Sequence, residues 1–144
     1  LDQPPPAAPV TLEQYRALAG FRYQLRRFLA FSSREAEAAG LAPQQYQALL
    51  AIKGHHGPDA ITMGQLADQL LVRQHSAAEL VNRMQGASLV CRAPAPGDAR
   101  KVAVLLTVAG EAALARLAAV HLRELRQQGA AMARLLSSID GRDA

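Results

Sequence analysis

Two short groups of polar and basic residues hold the chemistry this sequence offers. The first is Arg73, Gln74, His75 and Ser76, with Arg83 further along. Glutamine can pair bidentately with adenine, serine can bond a base edge or a phosphate, and arginine holds phosphate with a planar fork. The second is Arg92, then Asp98, Arg100 and Lys101 beside the Pro96-Gly97 step. An arginine on a narrow loop can enter a minor groove, where negative potential is strongest. A carboxylate cannot favourably face phosphate, so Asp98 is better suited to orienting a nearby arginine through a charge-assisted bond. Arg92 and Lys101 add phosphate contacts. Each group also has a plainer reading: the first as the solvated face of a core helix, the second as a polar hairpin without a partner.

The elements around these residues favour the first reading. Thr62 and Gln65 have the spacing of a capping box and open a short helix, with Leu66, Ala67, Leu70 and Leu71 expected to face inward. A further helix is expected from Arg73 or Gln74 to about Gln85. Its apolar positions are Ala77, Leu80, Val81 and Met84. Gln74, His75, Ser76, Glu79, Asn82 and Arg83 lie on the opposite face. Leu89 to Ala93 reads as a strand ended by Pro94, and Lys101 to Leu106 as its return strand. Helix, turn, helix and ribbon in this order are the plan of a winged helix-turn-helix, so the basic groups would lie on a helix and a wing tip suited to adjacent grooves. Glu79 is the dissonant residue, since a carboxylate there repels phosphate unless it meets cytosine or an arginine.

The flanks are helical. Residues 1–10 hold four of the eight prolines and read as an extended arm. Thr11 is a plausible cap for a long helix with Leu12, Tyr15, Leu18, Phe21, Leu25 and Phe28 at helical spacing, fading near Gly40. Pro43 suits the first turn of a second helix carrying Tyr46, Leu49, Leu50 and Ile52, which Gly54, Gly57 and Pro58 stop. Thr107 can cap a C-terminal helix, with a break expected at Gly129 before a last helix.

Composition narrows the class. At 144 residues, half of them apolar and 19% charged, the chain is long enough for one globular domain and too apolar to be disordered. The net charge of +4 is compatible with a polyanion partner without demanding one. Residues 61–107 carry five basic and three acidic side chains, weak for one copy and doubled in two. A single cysteine, Cys91, forbids an internal disulfide and favours a reducing, cytoplasmic setting. Cys91 is expected to be a small packing residue. His55 and His56 adjoin Asp59, but adjacent side chains diverge and no metal-ligand spacing supports them, so no metal is expected. No phosphate loop, nucleophile motif or carboxylate pair points to an enzyme or to a cofactor, and no apolar run is long enough to span a membrane. Tyr23, Phe28, Phe31 and Tyr46 are aromatic at helical spacing, which is more often core than ligand box.

Residues 62–110 resemble the MarR family of bacterial transcription regulators. The similarity lies in LADQL (66–70), LVNRM (80–84), LVCR (89–92), GDARKVAVLLT (97–107) and Gly110. The wing pattern Asp98-x-Arg100, an apolar strand, then Leu106-Thr107-x-x-Gly110 is its most specific part. Where the family often has glycine between the two helices, this chain has Leu71. It has Ser88 where glycine is usual, and Arg73 near a position where a small capping residue is common. The resemblance implies a mainly helical fold with a small β-wing, a DNA-binding lobe over 41–110, and dimerisation helices over 11–39 and 112–144. It also implies a homodimer on an inverted-repeat operator, acting as a repressor released by a small phenolic or aromatic effector. A metal- or thiol-responsive regulator of the same fold, or a helical module whose wing contacts protein, are the alternatives.

Overall fold

A computed structural model describes residues 7–140; the ends of the expected arm and of the last helix, 1–6 and 141–144, lie outside the described residues. Five helices and one hairpin follow in order: α1 (Leu12–Ala38), α2 (Pro43–Lys53), α3 (Met63–Leu70), α4 (Gln74–Gly86), β1 (Val90–Ala95), β2 (Asp98–Leu106) and α5 (Val108–Ile139). The fold is mainly helical with a two-stranded antiparallel wing.

The chain forms two compact units, one of Ser32–His121 and one whose described residues are 7–31 and 122–140. The first has a continuous apolar core. Leu49, Ile61, Leu66, Leu80, Val81, Met84, Val90 and Val104 are fully buried in it. They come from α2, the segment before α3, α3, α4 and both strands, so burial of one apolar cluster orders all these elements together. The second unit is formed by parts of α1 and α5. There, a Cβ on Gly20 would lie 2.8 Å from a Leu135 methyl, so glycine lets the two helices approach closely. Leu12, Leu18, Leu29, Leu122 and Leu136 in this unit are about half exposed.

Local chemistry sets the boundaries. Thr62 accepts the Gln65 amide through its side chain, and Gln65 returns the bond to the Thr62 amide, closing the capping box that starts α3. Pro43 occupies the first turn of α2. The Thr107 hydroxyl accepts from the Gly110 amide and donates to the Ser88 carbonyl, which starts α5 and ties it to the end of α4. Gly110 is required here because a Cβ would sit 2.0 Å from the Leu89 carbonyl oxygen.

Several expectations are corrected. Leu71 does not face inward: it closes α3 in the left-handed conformation (φ 55°, ψ 41°) and is 92% exposed. A left-handed residue reverses the chain direction at a helix end, and its side chain is carried outward. Pro94 does not end β1, which continues to Ala95 with Pro94 opposite Val102 and a register irregularity just after it. A proline costs no ladder bond at an edge or bulge position. Accordingly β2 begins at Asp98 rather than Lys101, and the tip is the two-residue turn Pro96-Gly97 with Gly97 at φ +80°. Proline followed by a positive-φ glycine is the chemistry of a type II turn. Gly129 does not interrupt α5, because one glycine costs a helix only about 1 kcal/mol among alanines and leucines. The structure also adds a pairing the sequence did not suggest: Thr62 bridges Ala103, with the Val104 amide bonded to the Ile61 carbonyl at 2.9 Å.

Candidate nucleic-acid interface

Three elements of the Ser32–His121 unit line a concave cleft of about 920 Å³. Its walls are the start of α3 (Thr62, Gly64, Gln65, Asp68), the first turns of α4 (Gln74, His75, Ala78) and the wing (Arg92, Arg100, Lys101, Val102).

The orientation of α4 follows from its packing. Ala77, Leu80, Val81 and Met84 are buried, which turns Gln74, His75, Glu79, Asn82 and Arg83 to the exposed side and leaves Ser76 half-buried. The turn before it is held by backbone bonds from Leu71 to Asp68 and from Val72 to Ala67. Arg73 is the cap residue, extended at φ −70° and ψ 152°, and no side chain accepts a bond from the first-turn amides. The start of α3, by contrast, is closed internally by its capping box. An α4 terminus without a side-chain cap keeps amide donors and the positive end of the helix dipole directed outward, the arrangement that favours an anion.

The wing residues have defined partners. Asp98 Oδ1 accepts from the Arg100 amide at 3.1 Å and from Arg100 Nε at 3.2 Å. The Arg100 side chain nevertheless stays 92% exposed. The carboxylate therefore fixes the base of the guanidinium while its Nη donors remain directed to solvent. Arg92 Nη2 donates to the Ala78 carbonyl at 3.2 Å, which fastens the wing to α4. Arg92 thus has a structural bond in addition to any phosphate contact.

Of the residues singled out in the sequence, Gln74, His75, Arg92, Arg100 and Lys101 line one cleft. Arg73, Ser76, Arg83 and Asp98 do not line it. Arg83 is exposed in the last turn of α4, and Asp98 acts through Arg100. Sequence reasoning missed Gly64, Gln65 and Asp68 as lining residues. The capping box signalled a helix start, but nothing in it signalled which surface that start would line. Asp68 and Glu79 add negative charge to this side of the unit.

Other candidates have plainer surroundings. Cys91, expected to pack, is exposed on β1 opposite Leu105, because its neighbours Val90 and Val104 take the buried face of the ribbon. His55 and His56 follow the end of α2, and among the described residues no group of three or more His, Cys, Asp or Glu could hold a metal ion. His121 is buried, its Nδ1 2.7 Å from the Leu117 carbonyl and its Nε2 2.8 Å from the Ser32 hydroxyl, and it stacks on Tyr46 at 4.4 Å. Burial pushes the Tyr46 hydroxyl above its ordinary pKa. Among the described residues no helix is long and apolar enough to cross a membrane.

A capped helix, a left-handed turn, an uncapped second helix and an attached ribbon make the Ser32–His121 unit a winged helix-turn-helix. Residues 39–101 match the model of the MarR family. The chain is similar to AbsC, a MarR family transcriptional regulator from Streptomyces coelicolor, at 21% identity over 84% of this chain and 81% of that one, with a TM-score of 0.70. It is similar to a variant of MarR from E. coli at 19% identity over 92% and 98% of the two chains, TM-score 0.70. A complex of MepR from S. aureus with DNA matches at 16% identity over 91% and 99%, TM-score 0.62. At such identities the likeness is one of fold. No curated protein matches the chain.

Proposed function

We propose that this chain is a sequence-specific DNA-binding regulator of bacterial transcription. In this reading it works in the cytoplasm as a homodimer on an inverted-repeat operator, represses its target, and is released by a small phenolic or aromatic compound. The observation that carries the proposal is the cleft in which the uncapped start of α4 and the basic side chains of the wing come together. Gln74 and His75 read base edges in the major groove, while Arg100, held at its base by Asp98, reaches the minor groove. Arg73, Ser76, Arg83, Arg92 and Lys101 bond phosphate and fix the register. Support also comes from MepR, a protein of the same fold solved with DNA. The half-exposed leucines of α1 and α5 support the homodimer, since two such faces bury apolar surface against each other.

The test is fluorescence anisotropy with duplex from upstream of the protein's own gene, across a salt series and against unrelated competitor. Competitor-resistant binding with a steep salt slope is expected. Arg100→Ala should weaken binding and lower that slope by about one unit. Gln74→Ala or His75→Ala should shift sequence preference more than overall affinity. Binding to a protein partner that is insensitive to salt, with none to any duplex from a random-sequence pool, would refute the proposal.

A further inference from the structure

The net charge does not reside where the proposed DNA-reading residues are. The Ser32–His121 unit carries eight basic and seven acidic side chains, a net of +1. Residues 7–31 and 122–140 carry seven basic and three acidic, a net of +4. Every basic residue in that second set is arginine; lysine is absent from it. A compact duplex-binding protein draws most of its non-specific affinity from phosphate neutralisation, so a nearly neutral winged helix leaves that term weak.

The surplus concentrates on α1. From Gln14 to Phe31 the helix has four arginines and no acidic residue. Arg16, Tyr23 and Arg27 follow at intervals of seven and four, which places them on one stripe about 16 Å long. Arg22 and Arg26 form a second pair, four apart, on the adjoining stripe. All four arginines are exposed, and the Arg27 guanidinium lies over the exposed Tyr23 ring at 5.8 Å. Among the described residues, only Arg16 of these has an acidic partner, Glu13 at 2.9 Å, and that pair is open to solvent.

We propose that this arginine face of α1 is a second phosphate-binding surface, which holds the backbone of duplex DNA without reading its sequence. The inference rests on the DNA-binding reading above. Charge complementarity points to a polyanion, and the residue types point to nucleic acid rather than to an anionic membrane. Guanidinium groups pair phosphate bidentately, and a tyrosine that stacks on one limits its motion and lowers the cost of ordering it. Half-exposed Leu18 and Leu29 adjoin Arg22 and Arg26, but beside Arg16 and Arg27 the exposed residues are Tyr23 and small residues such as Ala30, where a membrane-lying helix would place large apolar side chains.

The experiment compares the full chain with the combined variant R22Q/R26Q/R27Q and the charge-retaining R22K/R26K/R27K. A labelled random-sequence duplex is titrated across a salt series, with Arg100→Ala as reference and circular dichroism melts confirming the fold. The glutamine variant should lower the slope of log affinity against log salt by roughly two to three units, and the lysine variant should leave it near the parent's. A glutamine variant with the parent's slope, beside an Arg100→Ala that lowers it, overturns the α1 surface and leaves the winged-helix reading intact. The converse pattern supports the α1 surface and removes the wing's role. A parent that binds no duplex overturns both. Parent binding to phosphatidylserine vesicles that the glutamine variant loses, with an unchanged duplex slope, overturns the proposal in favour of a lipid surface.

Discussion

The two units of this chain divide apolar burial and charge differently. Ser32–His121 buries a contiguous core and is nearly neutral, with its basic side chains set one by one around a cleft. Residues 7–31 and 122–140 bury little, leave leucines half exposed and carry most of the surplus charge. A self-sufficient core lets the first unit hold individual side chains in fixed geometry, which recognition of particular bases requires. The second has surface to offer to something else. Its leucines suit a second copy, and its arginines suit a diffuse polyanion.

Paired substitutions can break that contrast. The largest effect is expected from Leu66→Ala, which removes a fully buried side chain from the core and should cost about 3 kcal/mol in urea unfolding. Leu18→Ala, at a half-exposed site on α1, should scarcely change unfolding at low concentration, but should raise the dissociation constant of the proposed dimer in analytical ultracentrifugation. Equal costs for the two, both independent of protein concentration, would erase the distinction.

Glycines make a second pair. Gly110→Ala forces a Cβ against the Leu89 carbonyl and should lower stability by about 2 kcal/mol or more, read as a fall in melting temperature. Gly129→Ala meets nothing within 4 Å and should raise stability by about 1 kcal/mol through helix propensity. If Gly110→Ala were tolerated, the joint between the wing and α5 would be looser than its close approach indicates.

The smallest effect sharpens the turn. Leu71→Gly relieves a left-handed backbone at a side chain that buries almost nothing, and should stabilise the protein by a few tenths to about 1 kcal/mol. A loss of stability would mean that the Leu71 side chain has a partner in the assembled protein.

The two departures from family glycine identify themselves structurally. Leu71 and Ser88 are the positive-φ non-glycine residues among those described, at 55° and 60°. A left-handed backbone at a non-glycine residue carries strain of about 1 kcal/mol at each site. Arg73, the third departure, caps α4 without a side-chain bond. The fold was legible because each element follows from near neighbours: Thr62 with Gln65, Pro43 in a first turn, Ala77, Leu80, Val81 and Met84 on one helical face. The misjudged points have a common origin. Intrinsic preference alone turns Leu71 inward, ends a strand at Pro94 and breaks a helix at Gly129, whereas a turn, an edge position and a long alanine-rich helix respectively override it.

Sequence by itself determined the order of elements, the capping of α3, the inward face of α4 and the residue types on the wing. All depend on contacts within a few residues, so spacing along the chain reports them directly. Only the tertiary structure decided that the start of α3 shares a cleft with α4 and the wing, that Arg92 bonds the Ala78 carbonyl, that Cys91 faces outward, and that Thr62 pairs with Ala103. The Arg92–Ala78 and Thr62–Ala103 contacts join residues 14 and 41 positions apart, set by how one shared core packs. A linear pattern specifies which face of an element is apolar, but the partner that covers that face is chosen by the packing of all the elements at once.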